Sequence, residues 1–106
     1  MTDETSQTPL LDLIANMTAE SLESSNLDVK TLMLVRIAAL VAVDAPAASY
    51  MMNLGVASES GVDVDQVQGV LTAVAPIVGG PRVTAAVGHI AEALGLAIDL
   101  GQASTR

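Results

Sequence analysis

Five side chains in this sequence could do chemistry. Arg36 is the only charge between Lys30 and Asp44, in a stretch that is otherwise almost wholly apolar. Ser49, Tyr50 and Asn53 lie together in "VAVDAPAASYMMNLG", residues 41–55, which also holds the chain's only aromatic residue, Tyr50. His89 is the single histidine. A guanidinium in apolar surroundings must be paired, so Arg36 is either half of a salt bridge or a clamp for a ligand carboxylate. Asn53 can orient or polarise a carbonyl but cannot exchange protons at neutral pH. Packing against backbone or Ser49 is the bland alternative for it. The Tyr50 phenol could hydrogen-bond a ligand or stabilise an enolate-like oxygen, or it could serve only to fill a core. Histidine is the side chain best suited to acid–base work at working pH, and His89 is the only one, so any such step falls to it. Otherwise it is a surface or interface histidine.

Thiol chemistry is excluded outright, because the chain has no cysteine. No cluster of histidines, cysteines or spaced carboxylates suggests a metal, since Asp63 and Asp65 read as a helix cap, and no cofactor motif is present. Gly79-Gly80-Pro81-Arg82 before a helix has the look of an anion site but lacks the glycine spacing of nucleotide loops. A turn and a helix start account for it.

The elements that must position these groups are helical. Residues 1–8 read as a flexible acidic and polar tail. Thr8-Pro9 opens a first helix with an apolar stripe of Leu10, Leu11, Leu13, Ile14 and Met17. Asn26 or Asp28 caps a second, Val29 to about Val43, apolar nearly all round and so expected at the centre. Pro46 begins a third, about Ala45 to Ser60, ended by Gly61 in the left-handed conformation. Asp63 caps a fourth, about Val64 to Val78, with Val67, Val70, Leu71, Val74 and Ile77 inward and Pro76 in its last turn. Pro81 opens a fifth, with Val83, Val87, Ile90, Leu94 and Ala97 expected toward the core, before a polar tail at 101–106. The fold class is all-α: five helices in one domain over residues 9–100.

Composition narrows the function classes. Net charge is −8, and residues 1–28 carry six acids and no base. Nucleic acid and anionic membranes are therefore poor partners. The apolar run Leu32–Val43 is too short to span a bilayer, and the acidic N-terminus is unlike a signal peptide, so a cytoplasmic location is expected. There is no Phe or Trp, so the core is built from small side chains in close approach. Mean hydropathy is high, +0.53, which points to apolar surface buried between copies of the chain.

Three segments carry a resemblance: "LDVKTLMLVRIAALVAV", then "PAASYMMNLGVASESGV", then "VQGVLTAVAPIVGGPRVTAAVGHIAEAL". In this order, over about residues 27–98, they resemble the carboxymuconolactone decarboxylase family, whose fold is shared with alkylhydroperoxidase D. The resemblance implies a helical homo-oligomer, a trimer or hexamer, with pockets near subunit contacts. Its peroxidase branch has a Cys-x-x-Cys pair and a histidine four residues later. Counted back from Gly61-Val62, those positions fall on Pro46, Ser49 and Asn53, and an upstream glutamate falls near Leu34. None matches, and the histidine that the decarboxylase branch keeps at Asn53 is missing too. The reading that follows is a divergent family member without thiol peroxidase activity. It is expected to bind a small apolar or carboxylate ligand in a pocket lined by Arg36, Tyr50 and Asn53. Two alternatives stay open: a lactone decarboxylase or isomerase acting through Arg36, Tyr50 and His89, or a structural protein whose acidic N-terminal segment docks a partner.

Overall fold

The computed structural model describes residues 8–105, and side chains as far as residue 95. The N-terminal tail expected at 1–8 lies outside this range except for Thr8. Five helices follow in order: α1 (Thr8–Ser24), α2 (Val29–Ala42), α3 (Ala47–Glu59), α4 (Val64–Val78) and α5 (Gly80–Thr105). No strand occurs among the described residues. The last helix continues through the polar segment as far as Thr105.

Each start and stop has a local cause. Asp28 caps α2, its carboxylate accepting from the Thr31 N–H at 2.7 Å, and this bond holds the Asp28 carboxyl below its ordinary pKa. Asp63 caps α4 in a reciprocal box: it accepts from the Gln66 N–H, while the Gln66 side chain accepts from the Asp63 N–H. Helix α3 ends in a Schellman turn. The Val62 N–H reaches the Ala57 carbonyl and the Gly61 N–H reaches Ser58, with Gly61 at φ 95°. Helix α2 ends the same way, but with Asp44 in the left-handed position at φ 57°. There Ala45 donates to Leu40, and Asp44 to Val41. Between α4 and α5 only Gly79 intervenes, at φ 92° and ψ 154°, a conformation that only glycine adopts readily.

Helix α2 is central, packing on α3, α4 and α5, while α5 also packs on α3 and α4. Its apolar girth explains this: Leu32, Met33, Ile37 and Val41 are all buried. One core cluster joins Leu32, Met33 and Ile37 to Ala57 and Val62 of the α3 turn. A second joins Val41 and Ala45 to Tyr50 and to Ala86 and Ala93 of α5.

Two inward faces differ from expectation. In α4 the stripe closes on half-buried Val78, while Ile77 is 85% exposed. At 100° per residue Val78 falls in line with Val67, Leu71 and Val74, and Ile77 falls off the edge of the arc. In α5 the buried arc is Val83, Ala86, Ile90 and Ala93, rotated away from Val87 and Leu94, which are about half exposed. Small residues let α5 approach the central helices closely, so the alanines face in. Ala97 lies outside the described side chains.

Helix α1 stands apart. It buries none of its residues and shares no broad packed face with the other helices. Leu10, Leu11, Leu13, Ile14 and Met17 are all exposed, Leu10 at 63%.

Candidate functional site

The five candidate side chains do not converge on one place. Arg36 and Asn53 line a groove of about 450 Å³ between α1, α2 and α3, walled by Met17, Met33, Leu40, Met52 and Val56. Tyr50 and His89 meet elsewhere, between α3 and α5, with ring centroids 6.3 Å apart and planes tilted by 36°. Ser49 is half-buried on α3 and lines neither place. A pocket built from Arg36, Tyr50 and Asn53 together is thus corrected to one built from Arg36 and Asn53. The reason is helical phase: the groove takes the side of α3 that carries Met52, Asn53 and Val56, while Tyr50, about 60° round from Asn53, turns into the core. A catalytic set of Arg36, Tyr50 and His89 is not assembled within the chain.

Arg36 belongs to the central helix, half-buried. Its Nη2 donates to the Thr18 carbonyl at 3.3 Å and to Ser21 Oγ at 3.1 Å, both on α1. No carboxylate pairs with it among the described residues, so the expected salt bridge is not made among them. Among the described residues only neutral oxygens hold this guanidinium, so no carboxylate there offsets its charge toward the groove. Asn53 Nδ2 donates to the Ser49 carbonyl at 2.8 Å, back along its own helix. This bond fixes the amide and leaves its oxygen without a protein donor among the described residues.

The Tyr50–His89 pair has a different character. Tyr50 is 0% exposed, and its hydroxyl has no hydrogen-bond partner among the described residues; His89 Nδ1 is also buried without one there. Burial raises the Tyr50 pKa, and the Asp44 carboxylate adds to the effect. The phenol stays neutral in the physiological range.

Sequence reasoning missed the contribution of α1 to the groove. It also missed Arg82, whose Nη1 donates to the Ala42 carbonyl at 2.7 Å. Arg82 thereby caps the C-terminal end of α2, where a cation is favoured by the helix dipole. The Gly79–Arg82 segment is a turn and a helix start, as its spacing indicates.

Comparison with known proteins adds the family. The model of the carboxymuconolactone decarboxylase family matches residues 9–93, most of the chain. The chain belongs to the carboxymuconolactone decarboxylase family. No curated protein and no solved structure matches it. In this family member, the positions where the resemblance places Cys, Cys and His are Pro46, exposed at the N-cap of α3, then Ser49 and Asn53. Leu34, near the glutamate position, packs against the first core cluster. Without a thiol in the chain, no disulfide-forming cycle can run on this scaffold. No helix among the described residues is long and apolar enough to cross a membrane.

Proposed function

We propose that this carboxymuconolactone decarboxylase family member is a divergent one that binds a small ligand pairing an apolar body with a carboxylate. The ligand occupies the groove between α1, α2 and α3. The observation carrying this reading is Arg36: a charged, half-buried guanidinium with no carboxylate partner among the described residues, set in methionine and aliphatic walls. Asn53 offers its amide oxygen beside it, an acceptor for a hydroxyl or acid proton on the same ligand. Methionine walls adapt to ligand shape.

Octanoate, with octanol as the uncharged control, tests this by calorimetric titration. Octanoate binds and octanol binds at least tenfold more weakly, because a charge-assisted hydrogen bond is worth roughly 1.5–3 kcal/mol. Arg36→Ala removes the difference. Equal binding of the two probes, or octanoate binding unchanged in Arg36→Ala, would refute the reading.

The exposed stripe of α1 favours a second proposal, that the chain works as a homo-oligomer, a trimer or hexamer. Met17 and Ser21 use one face of α1 at the groove, and Leu10, Leu13 and Ile14 continue that face with nothing against them. Light scattering that finds a stable monomer at micromolar concentration would sink it.

A further inference from the structure

The groove has an unusual wall. Helix α1 buries no residue of its own, yet it supplies Met17, Thr18 and Ser21 to the groove lining. Two side-chain hydrogen bonds from Arg36 Nη2 join it to α2, at Thr18 and Ser21. A 17-residue helix is marginal in water when unsupported, so these two bonds matter to its position.

Guanidinium geometry makes the two bonds consequential. A carboxylate can engage arginine with two parallel bonds in only two ways, side-on through Nε and Nη2 or end-on through Nη1 and Nη2. Both forks include Nη2. Nη2 already donates to Thr18 and Ser21 of α1. A bidentate carboxylate therefore competes with them for this nitrogen. The bond to a carboxylate, ionised at both ends, is stronger than one from the same nitrogen to a neutral carbonyl or hydroxyl.

We propose that α1 is a strap over the groove, held by Arg36 Nη2, and that a carboxylate ligand releases it by taking that nitrogen. The proposal rests on the groove binding a carboxylate and adds how that binding is regulated. Ligand and strap are competitors for one donor group. By linkage, whatever holds α1 down weakens the ligand, and whatever lifts α1 tightens it by the same factor. The strap sets the threshold concentration at which the site fills. Binding in turn frees Met17 and Ser21 to join the exposed stripe of Leu10, Leu13 and Ile14.

The full-length chain, with octanoate as probe, provides the test. Hydrogen exchange of the α1 backbone amides is followed with and without octanoate, in the wild type and in Ser21→Ala. Light scattering checks that assembly is the same in every sample. Ser21→Ala removes one strap bond from an exposed position and leaves Arg36 and Asn53 in place. Octanoate is expected to speed α1 exchange in the wild type, and Ser21→Ala is expected to bind octanoate about fivefold tighter, the worth of one ordinary hydrogen bond. If octanoate binds but α1 exchange is unchanged or slowed, and Ser21→Ala shows no gain in affinity, the strap is wrong while the binding reading stands. If octanoate binds neither protein, both fall.

Discussion

Replacing Tyr50 with phenylalanine should stabilise the protein. The ring sits at 0% exposure among Val41, Ala45, Ala86 and Ala93, and all of its carbon contacts survive the change. Only the hydroxyl is lost, and it has no partner among the described residues. A buried polar group left unbonded costs about 1–3 kcal/mol, which the variant recovers. The void left by one oxygen costs well under 1 kcal/mol at about 24 cal/mol per Å³. The balance is a gain of about 1 kcal/mol, or a rise in Tm of about 4 °C for a domain of this size. Urea unfolding followed by far-ultraviolet circular dichroism measures it, with an unchanged m-value showing that both native states bury the same surface. The alkaline limb supplies an internal control. Because the folded phenol titrates above its ordinary value of 10.0, its contribution to stability is complete below pH 10 and is lost as pH rises through the higher folded value. Tyr50→Phe lacks that loss, so its advantage grows in strong alkali. A fall in stability of 1 kcal/mol or more at neutral pH would refute the reasoning. It would mean that the hydroxyl is bonded in solution, and a non-additive cycle with His89→Leu would locate the partner at the His89 Nδ1.

Three further outcomes follow from the turns and caps. Asp44→Gly should raise stability by up to roughly 1 kcal/mol in thermal melts, because glycine enters the left-handed turn after α2 at lower steric cost than aspartate, which tolerates it better than most residues. Gly79→Ala should cost about 1–3 kcal/mol of backbone strain. The nearest atom to the new Cβ would be Pro81 Cδ at 3.9 Å, an ordinary contact, so a loss cannot be blamed on crowding. Asp28 has a lowered folded pKa, so its charge stabilises the fold above the ordinary value of 3.8, and this is lost as pH falls through the lower value. Asp28→Asn should therefore show a shallower acid dependence than the wild type in parallel unfolding titrations, and identical slopes would count against the cap.

The fold was legible where sequence pattern and backbone chemistry coincide. Asp63 at the head of α4, Gly61 after α3 and the all-round apolar α2 each have a local cause that reads directly from residue type. The facing of α5 was harder, because hydropathy favours Val87 and Leu94 while helix approach favours Ala86 and Ala93. Size, not polarity, decided that face. An apolar stripe in α1 is equally visible in the sequence, but amphipathicity says only that a face exists and not what covers it. The candidate site was legible in one member. Arg36 stands out as a lone charge, yet its partners are a backbone carbonyl and a serine 18 and 15 residues earlier. Neither leaves a complementary charge to read. Tyr50 was grouped with Asn53 by proximity along the chain, although helical phase separates them.

The lone aromatic residue has a consequence for anyone handling this protein. With no tryptophan and no second tyrosine, all near-ultraviolet absorption and emission come from one ring at the junction of α2, α3 and α5. The chain carries a single-site optical reporter placed in a buried core cluster. Its near-ultraviolet dichroism reads the order of that one junction, free of overlap from any other chromophore, and says nothing of α1. Far-ultraviolet dichroism sees every helix, α1 included. Loss of the first helix ahead of the bundle would therefore separate the two signals, which any cooperative loss of the whole structure would keep together.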